Sequence, residues 1–247
     1  MKIKNIFSPN YSKRKRKLSN SIKFIIIHYT GMQSERESTK KLCNPSAKVS
    51  SHYLINQEGK VSRLVQDWHV AWHAGKSCWG RYKNLNENSI GVELVNKGHK
   101  FGYTNFKKKQ ISNLIKLCQI FIKKYKIKKK NILGHSDIAP LRKIDPGEKF
   151  PWKYLAKNKL GIWHDYDSDF LKKYRRKKIL TEQNRKKFFS NLNKIGYCFE
   201  VKSKSSSIKA IKAFQRRFRQ ELIDGFLDKE CLMIVQNLIK NYKKPLI

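Results

Sequence analysis

Apolar residues fall in short β-like runs along the first two thirds of this chain and at helical spacing along the last third. Residues 22–29 read as a buried strand, rich in isoleucine with an aromatic residue near each end, that opens at Thr30-Gly31 into a polar loop. Residues 52–65 hold two β-like runs around Gln57-Glu58-Gly59-Lys60, where Gly59 supplies the turn of a hairpin. Residues 89–96 form another strand, its apolar run interrupted by Glu93. A carboxylate inside such a run must be paired, protonated or functional, because burying it alone is costly. Between 107 and 125, Ile111, Leu114, Ile115, Cys118, Phe121 and Ile122 recur at helical spacing and leave lysines on the opposite face, as in an amphipathic helix covering a sheet. Residues 131–135 read as a short strand, and Pro140, Pro146 and Pro151 keep the following segment irregular.

The pattern then turns helical, with stretches at 181–195, 207–222 and 228–241 separated by a polar, lysine- and arginine-rich segment at 172–178 from what precedes them. This divides the chain into a basic N-terminal arm (1–19), a main domain (20–165), a linker (166–180) and a small helical C-terminal module (181–247). A bundle of that size suggests an appended binding module.

Composition narrows the classes. With 247 residues, 39% of them hydrophobic, the chain can bury a core as one generous domain, or as one domain plus a small module. Its formal charge of +38 comes from 56 Lys and Arg against 18 Asp and Glu, and lysines lie in every segment. A nucleic-acid footprint gathers charge into a tail or stripe. The even spread disfavours that partner and leaves attraction to any polyanion, including a cell wall whose peptide stems carry carboxylates. The five cysteines, Cys43, Cys78, Cys118, Cys198 and Cys231, are scattered and form no CxxC pair, so reduced thiols are expected. No apolar stretch approaches the ~20 residues that span a bilayer. No secretory leader is recognisable, so a cytoplasmic location is expected, with the periplasm as the alternative.

Candidate chemistry sits at the ends of the predicted strands. His28 closes the first strand, and His135 and Asp145 lie on the segment from Gly134 to Gly147. Two imidazoles and one carboxylate give a zinc ion three protein ligands and leave a fourth position for water, the pattern of a catalytic site. Asp137 competes for the carboxylate role, and its place two residues after His135 equally suits a turn former or a group orienting an imidazole. Taken singly, each residue has a plainer explanation. A strand-end histidine is usually structural, Glu93 could pair with a cation, and Lys143 could be a solvated charge in a lysine-rich chain.

Six short motifs in order settle more than any one residue. Ile25-Ile26-Ile27-His28-Tyr29-Thr30, Val49-Ser50-Ser51-His52-Tyr53-Leu54-Ile55, Ala71-Trp72-His73-Ala74-Gly75, Ser89-Ile90-Gly91-Val92-Glu93-Leu94, Gly134-His135-Ser136-Asp137-Ile138-Ala139-Pro140 and Arg142-Lys143-Ile144-Asp145-Pro146-Gly147 resemble the zinc-dependent N-acetylmuramoyl-L-alanine amidases of the AmpD and AmiD type over about residues 20–160. The resemblance implies an α/β (α+β) fold, a mixed central β-sheet flanked by helices. It implies that His28, His135 and Asp145, rather than Asp137, bind Zn2+, with Glu93 and Lys143 beside the metal. The substrate would be the amide between the lactyl group of N-acetylmuramic acid and L-alanine in peptidoglycan or muropeptides. Glu93 is then expected to act as general base and then acid, and Lys143 to stabilise the oxyanion. His52, Trp72, His73 and Asn96 are the expected substrate-binding positions. A muropeptide-recognition protein on the same fold would lack a metal ligand, whereas all three are present. The C-terminal Phe214-Gln215 and Asp224-Gly225 pairs resemble elements of a helical peptidoglycan-binding domain, in the reverse of the usual order.

Overall fold

The computed structural model describes residues 2–15, 21–178 and 181–242. The end of the basic stretch at 13–17, the last two residues of the expected linker and the C-terminal tail after 242 lie outside the described residues. The strands are β1 (Ile3–Asn5), β2 (Tyr11–Lys13), β3 (Phe24–Tyr29), β4 (Tyr53–Ile55), β5 (Val61–Arg63), β6 (His69–Ala71), β7 (Cys78–Trp79), β8 (Tyr82–Lys83), β9 (Ser89–Leu94) and β10 (Ile132–Gly134). The helices are α1 (Glu35–Cys43), α2 (Lys108–Tyr125), α3 (His135–Ile138), α4 (Trp152–Lys157), α5 (Ser168–Lys172), α6 (Glu182–Ile195), α7 (Lys204–Phe218) and α8 (Lys229–Tyr242).

A six-stranded mixed sheet with order β1-β5-β4-β9-β3-β10 organises the molecule. Its neighbours are parallel except for the β4–β5 hairpin, which turns through Gly59 at φ 85°. Strand β3 lies inside the sheet between β9 and β10 and is buried on both faces, because alternate side chains serve different cores. Ile25 and Ile27 pack with α2 through Leu114, Cys118 and Phe121, whereas Phe24 and Ile26 pack with Phe188, Phe214 and Phe218 of the C-terminal helices.

That second core changes the picture of the C-terminal part. Leu133 and Ile138, which flank His135, share one apolar cluster with Leu192, Ile195, Ile211 and Leu232. The helices α6–α8 therefore form the second cover of the sheet as well as a bundle, and the sequence could not reveal it because their apolar faces look self-sufficient. The polar segment expected as linker carries α5 and contacts the bundle through Arg175, which pairs with Glu221 and Glu230. Helix α7 starts earlier than its apolar spacing predicts because Ser203 and Ser206 form a reciprocal cap. It also stops earlier, where Arg219 turns into the buried carboxylates Asp228 and Glu230.

Two further expectations change. Within the N-terminal arm, β1 pairs with β5 and β2 with β6, and Ser8 Oγ donates to the Leu42 carbonyl, so this segment is stitched to the main domain. Cys78 and Cys198 form a disulfide, with Cα atoms 5.6 Å apart, where reduced thiols were expected. Their separation of 120 residues gives no sequence signal. Among the described residues, no helix is long and apolar enough to cross a membrane.

Because one core joins sheet and bundle, Phe214→Ala should cost about 3–5 kcal/mol and shift a single urea transition. Separate transitions for the two parts would contradict a shared core.

Candidate active site

The sheet sets the distances. His28 stands near the end of β3 and its register partner on β9 is Glu93, so strand pairing alone brings carboxyl and imidazole side by side. On the other flank β10 leads directly into α3, whose first residue is His135. The chain then returns, and the Ser136 N–H donates to the Asp145 carbonyl at 2.9 Å just before the cis Asp145–Pro146 bond.

His28 Nδ1, His135 Nδ1 and Asp145 Oδ2 consequently lie 3.0, 3.0 and 3.1 Å apart, all three residues buried. Ligands at about 2.0–2.1 Å from a small tetrahedral cation stand roughly 3.3 Å from one another, so the donor set fits such an ion. Burial, then the neighbouring His135, lowers the pKa of His28 to about 4, which favours a neutral, ligating imidazole. Burial alone would raise Asp145, but His135 and His28 outweigh it and hold this carboxyl well below the usual range.

Both imidazoles are held from behind by one dipeptide. His28 Nε2 meets His73 Nδ1 at 3.0 Å, and His135 Nε2 meets the Ala74 carbonyl at 3.1 Å. With Nδ1 of His28 bare for a metal, its proton sits on Nε2 and is donated to His73. His73 then carries its own proton on Nε2, facing Ser89 Oγ at 3.2 Å, and that hydroxyl donates to the Leu85 carbonyl at 2.6 Å. One consistent set of tautomers thus runs back from the site. Gly91 permits it, because a Cβ there would fall 2.4 Å from the His73 ring.

These contacts relocate three of the four residues expected to touch substrate. His73 is buried behind His28. His52 is wholly buried, its Nδ1 accepting from the Gly91 N–H and its Nε2 facing the His69 carbonyl. Asn96 is buried too and fastens its loop to Thr104 and Gly98. Trp72 is half-buried, with its indole N–H donating to Ser12 Oγ. Motif position marks a residue as near the site without saying whether it stands before or behind the ligands. The Ala74 carbonyl was invisible to sequence reasoning because every residue carries a backbone oxygen.

Glu93 is partly exposed, but its Oε2 is shielded and has no hydrogen-bond partner among the described residues. Burial and then the Asp145 charge raise its pKa to about 8, against the pull of Lys143. Lys143 is half-buried, and its charge acts on both Glu93 and His28. Asp137 stays outside the trio, its oxygens taken by Tyr197, Arg217 and the Gly134 N–H.

A mixed sheet with this buried trio beside a shielded carboxyl is the frame of a hydrolase, and the family model for N-acetylmuramoyl-L-alanine amidase matches residues 18–148. The chain belongs to that family. It is 35% identical over 237 residues to the N-acetylmuramoyl-L-alanine amidase AmiD of Escherichia coli, covering 90% of this chain and 83% of the relative. It is 31% identical to the 1,6-anhydro-N-acetylmuramyl-L-alanine amidase AmpD of Haemophilus influenzae, covering 62% of this chain and 90% of that one. The structure of E. coli AmiD with the substrate anhydro-N-acetylmuramic acid-L-Ala-D-γ-Glu-L-Lys superposes with a TM-score of 0.79 at 30% identity, over 96% of this chain and 99% of that one. AmpDh3 of Pseudomonas aeruginosa, in complex with anhydromuramic pentapeptide, gives 0.78 at 31% identity, over 90% and 93%.

His73→Leu should weaken metal binding about 10- to 100-fold, read by competition with a chromogenic chelator; unchanged affinity would make the ring a mere filler. In the metal-free protein the Glu93 pKa is about 8 against an ordinary 4.5, so the folded state binds the extra proton between these values. Its contribution to stability is complete below about 4.5 and is lost as pH rises through about 8. Urea titrations of the chelated protein should therefore show the wild type losing stability over this range relative to Glu93→Gln, and parallel curves would refute the assignment.

Proposed function

We propose that this chain uses a zinc ion held by His28, His135 and Asp145 to hydrolyse the amide joining the lactyl group of N-acetylmuramic acid to L-alanine. Peptidoglycan and its muropeptide fragments, 1,6-anhydro forms included, are the substrate class, in cell-wall turnover or recycling. The observation that carries this reading is the convergence of two imidazole nitrogens and one carboxylate oxygen within 3.1 Å. The complexes of the two related amidases with anhydromuramyl peptides support the substrate class. Bound there, zinc supplies Lewis-acid activation of water and of the scissile carbonyl.

The protein's own groups do the rest. Glu93 takes the proton of the attacking water on its unpartnered Oε2 and passes it to the leaving amine, a task suited to a carboxyl whose pKa lies near neutrality. Lys143 stabilises the negative charge that develops on the carbonyl oxygen during attack. His73 and the Ala74 carbonyl keep both ligating rings in register, and Trp72 is the aromatic candidate for a sugar face.

The C-terminal helices have room for a second contact with the wall. A groove of about 580 Å³ runs along α6 and α7, lined by Arg185, Lys204, Ser207, Asp224 and Phe226. Gln215 and the Asp224–Gly225 loop bond to each other there, which gives the Phe-Gln and Asp-Gly pairs a structural task whatever their order. The Cys78–Cys198 disulfide favours an oxidising compartment such as the periplasm, the alternative to the cytoplasm expected when no secretory leader was recognised.

Mass spectrometry of N-acetylmuramoyl tripeptide incubated with the protein should show free tripeptide, lost on chelation and restored by zinc. Glu93→Gln and Lys143→Met should each lower kcat by about 10²- to 10³-fold. Intact substrate in the presence of bound zinc, with anhydro fragments and sacculi also tested, would overturn the amidase reading.

A further inference from the structure

Helix α3 carries His135 but has only four residues, too few to hold its own geometry. Its stiffness comes from elsewhere. Asp137, on the same turn, is 1% exposed, and a carboxylate buried that deeply must be fully partnered. The Gly134 N–H donates to Oδ2 at 2.7 Å from within the loop. The other two partners come from the C-terminal part. Arg217 of α7 donates through Nη1 to Oδ2 at 2.5 Å, and the Tyr197 hydroxyl donates to Oδ1 at 2.7 Å.

Arg217 does more than neutralise the carboxylate. Its Nη2 donates to the Ile132 carbonyl on β10 at 3.2 Å, and its guanidinium lies 3.7 Å from the centre of the Trp152 ring. One side chain thus ties together β10, α3 and α4, the three elements around the metal loop. Tyr197 is anchored in turn. Its ring packs on Trp79 at 4.9 Å, the Gly80 N–H donates to the Gly196 carbonyl at 2.7 Å, and the neighbouring Cys198 is bonded to Cys78. Gly196 allows this closeness, since a Cβ there would fall 2.4 Å from the Trp79 ring. The β7–β8 hairpin fixed in this way follows Ala74, whose carbonyl receives His135 Nε2.

We infer that Arg217 and Tyr197 are positioning residues for the metal ligand His135, so that the C-terminal helices clamp the metal loop through Asp137. The clamp acts on His135 from two directions, through Asp137 on its own helix turn and through Ala74, which lies just before the hairpin that Tyr197 and the disulfide hold. This rests on the reading of the trio as a metal site, and it gives the helical part a task inside the catalytic domain besides any contact with the wall.

Cobalt(II) is a suitable probe, because its visible absorption reports ligand geometry independently of hydrolysis. Tyr197→Phe removes one hydroxyl and keeps the ring on Trp79; Arg217→Met removes the cation and keeps much of the volume. Leu238→Ala, on α8 in the bundle core, truncates an apolar side chain without touching the Asp137 hydrogen bonds and is the control for lost stability. At a temperature where all variants are folded, Tyr197→Phe and Arg217→Met should bind cobalt about 10-fold more weakly with an altered spectrum, while Leu238→Ala lowers Tm and leaves both unchanged. Wild-type affinity and spectrum in Tyr197→Phe, or an equal loss in Leu238→Ala, would overturn the clamp. If His135→Ala binds cobalt like the wild type, the metal reading falls with it; a loss in His135→Ala without one in Tyr197→Phe condemns the clamp alone.

Discussion

Two imidazole nitrogens and a carboxylate oxygen must face one another at about 3 Å in a buried site, and the rest of the structure serves that constraint. Left without support, such side chains would turn toward water or toward whichever partner offered a proton. Burial keeps His28 and His73 neutral, and the proximity of the imidazoles keeps Asp145 ionised. The electrostatics therefore favour the protonation states a metal requires, and the hydrogen bonds behind the rings fix which nitrogen is bare.

The scaffold achieves this with unequal means. Register along β3 and β9 places His28 beside Glu93 through backbone bonding alone, a rigid and local device. His135 and Asp145 have no such support, since they lie on a one-turn helix and a proline-bounded loop. Their positions depend on contacts from distant parts of the chain: Ala74 on one side, and Asp137 with its partners on the other. Covering the second face of the sheet with the C-terminal helices provides some of those contacts, so the element that completes the core also steadies the site.

The strand at 22–29, the hairpin at Gly59 and the helix at 107–125 were legible because their apolar periods are local. His28, His135 and Asp145 were legible as a candidate metal set because six motifs occur in order, and the structure brings these three into one buried group that could hold a metal ion. The same motifs misled at His52, His73 and Asn96, which lie behind or beside the ligands and hold the frame. Residue type and proximity in a motif identify a neighbourhood; they carry no information about which side of a ligand a side chain occupies.

The sequence by itself determined the separate strands and helices, through local apolar periods, and the family, through six short motifs in order; the mixed sheet and the donor set came with that resemblance. Tertiary structure alone decided that Ala74 and His73 orient the imidazoles, that Cys78 meets Cys198, and that Asp137 belongs to Tyr197 and Arg217. The reason is separation along the chain. A residue 120 positions from its disulfide partner, or 80 from its ion-pair partner, leaves no local period to read, and only the packing of the C-terminal helices on the sheet brings the two together.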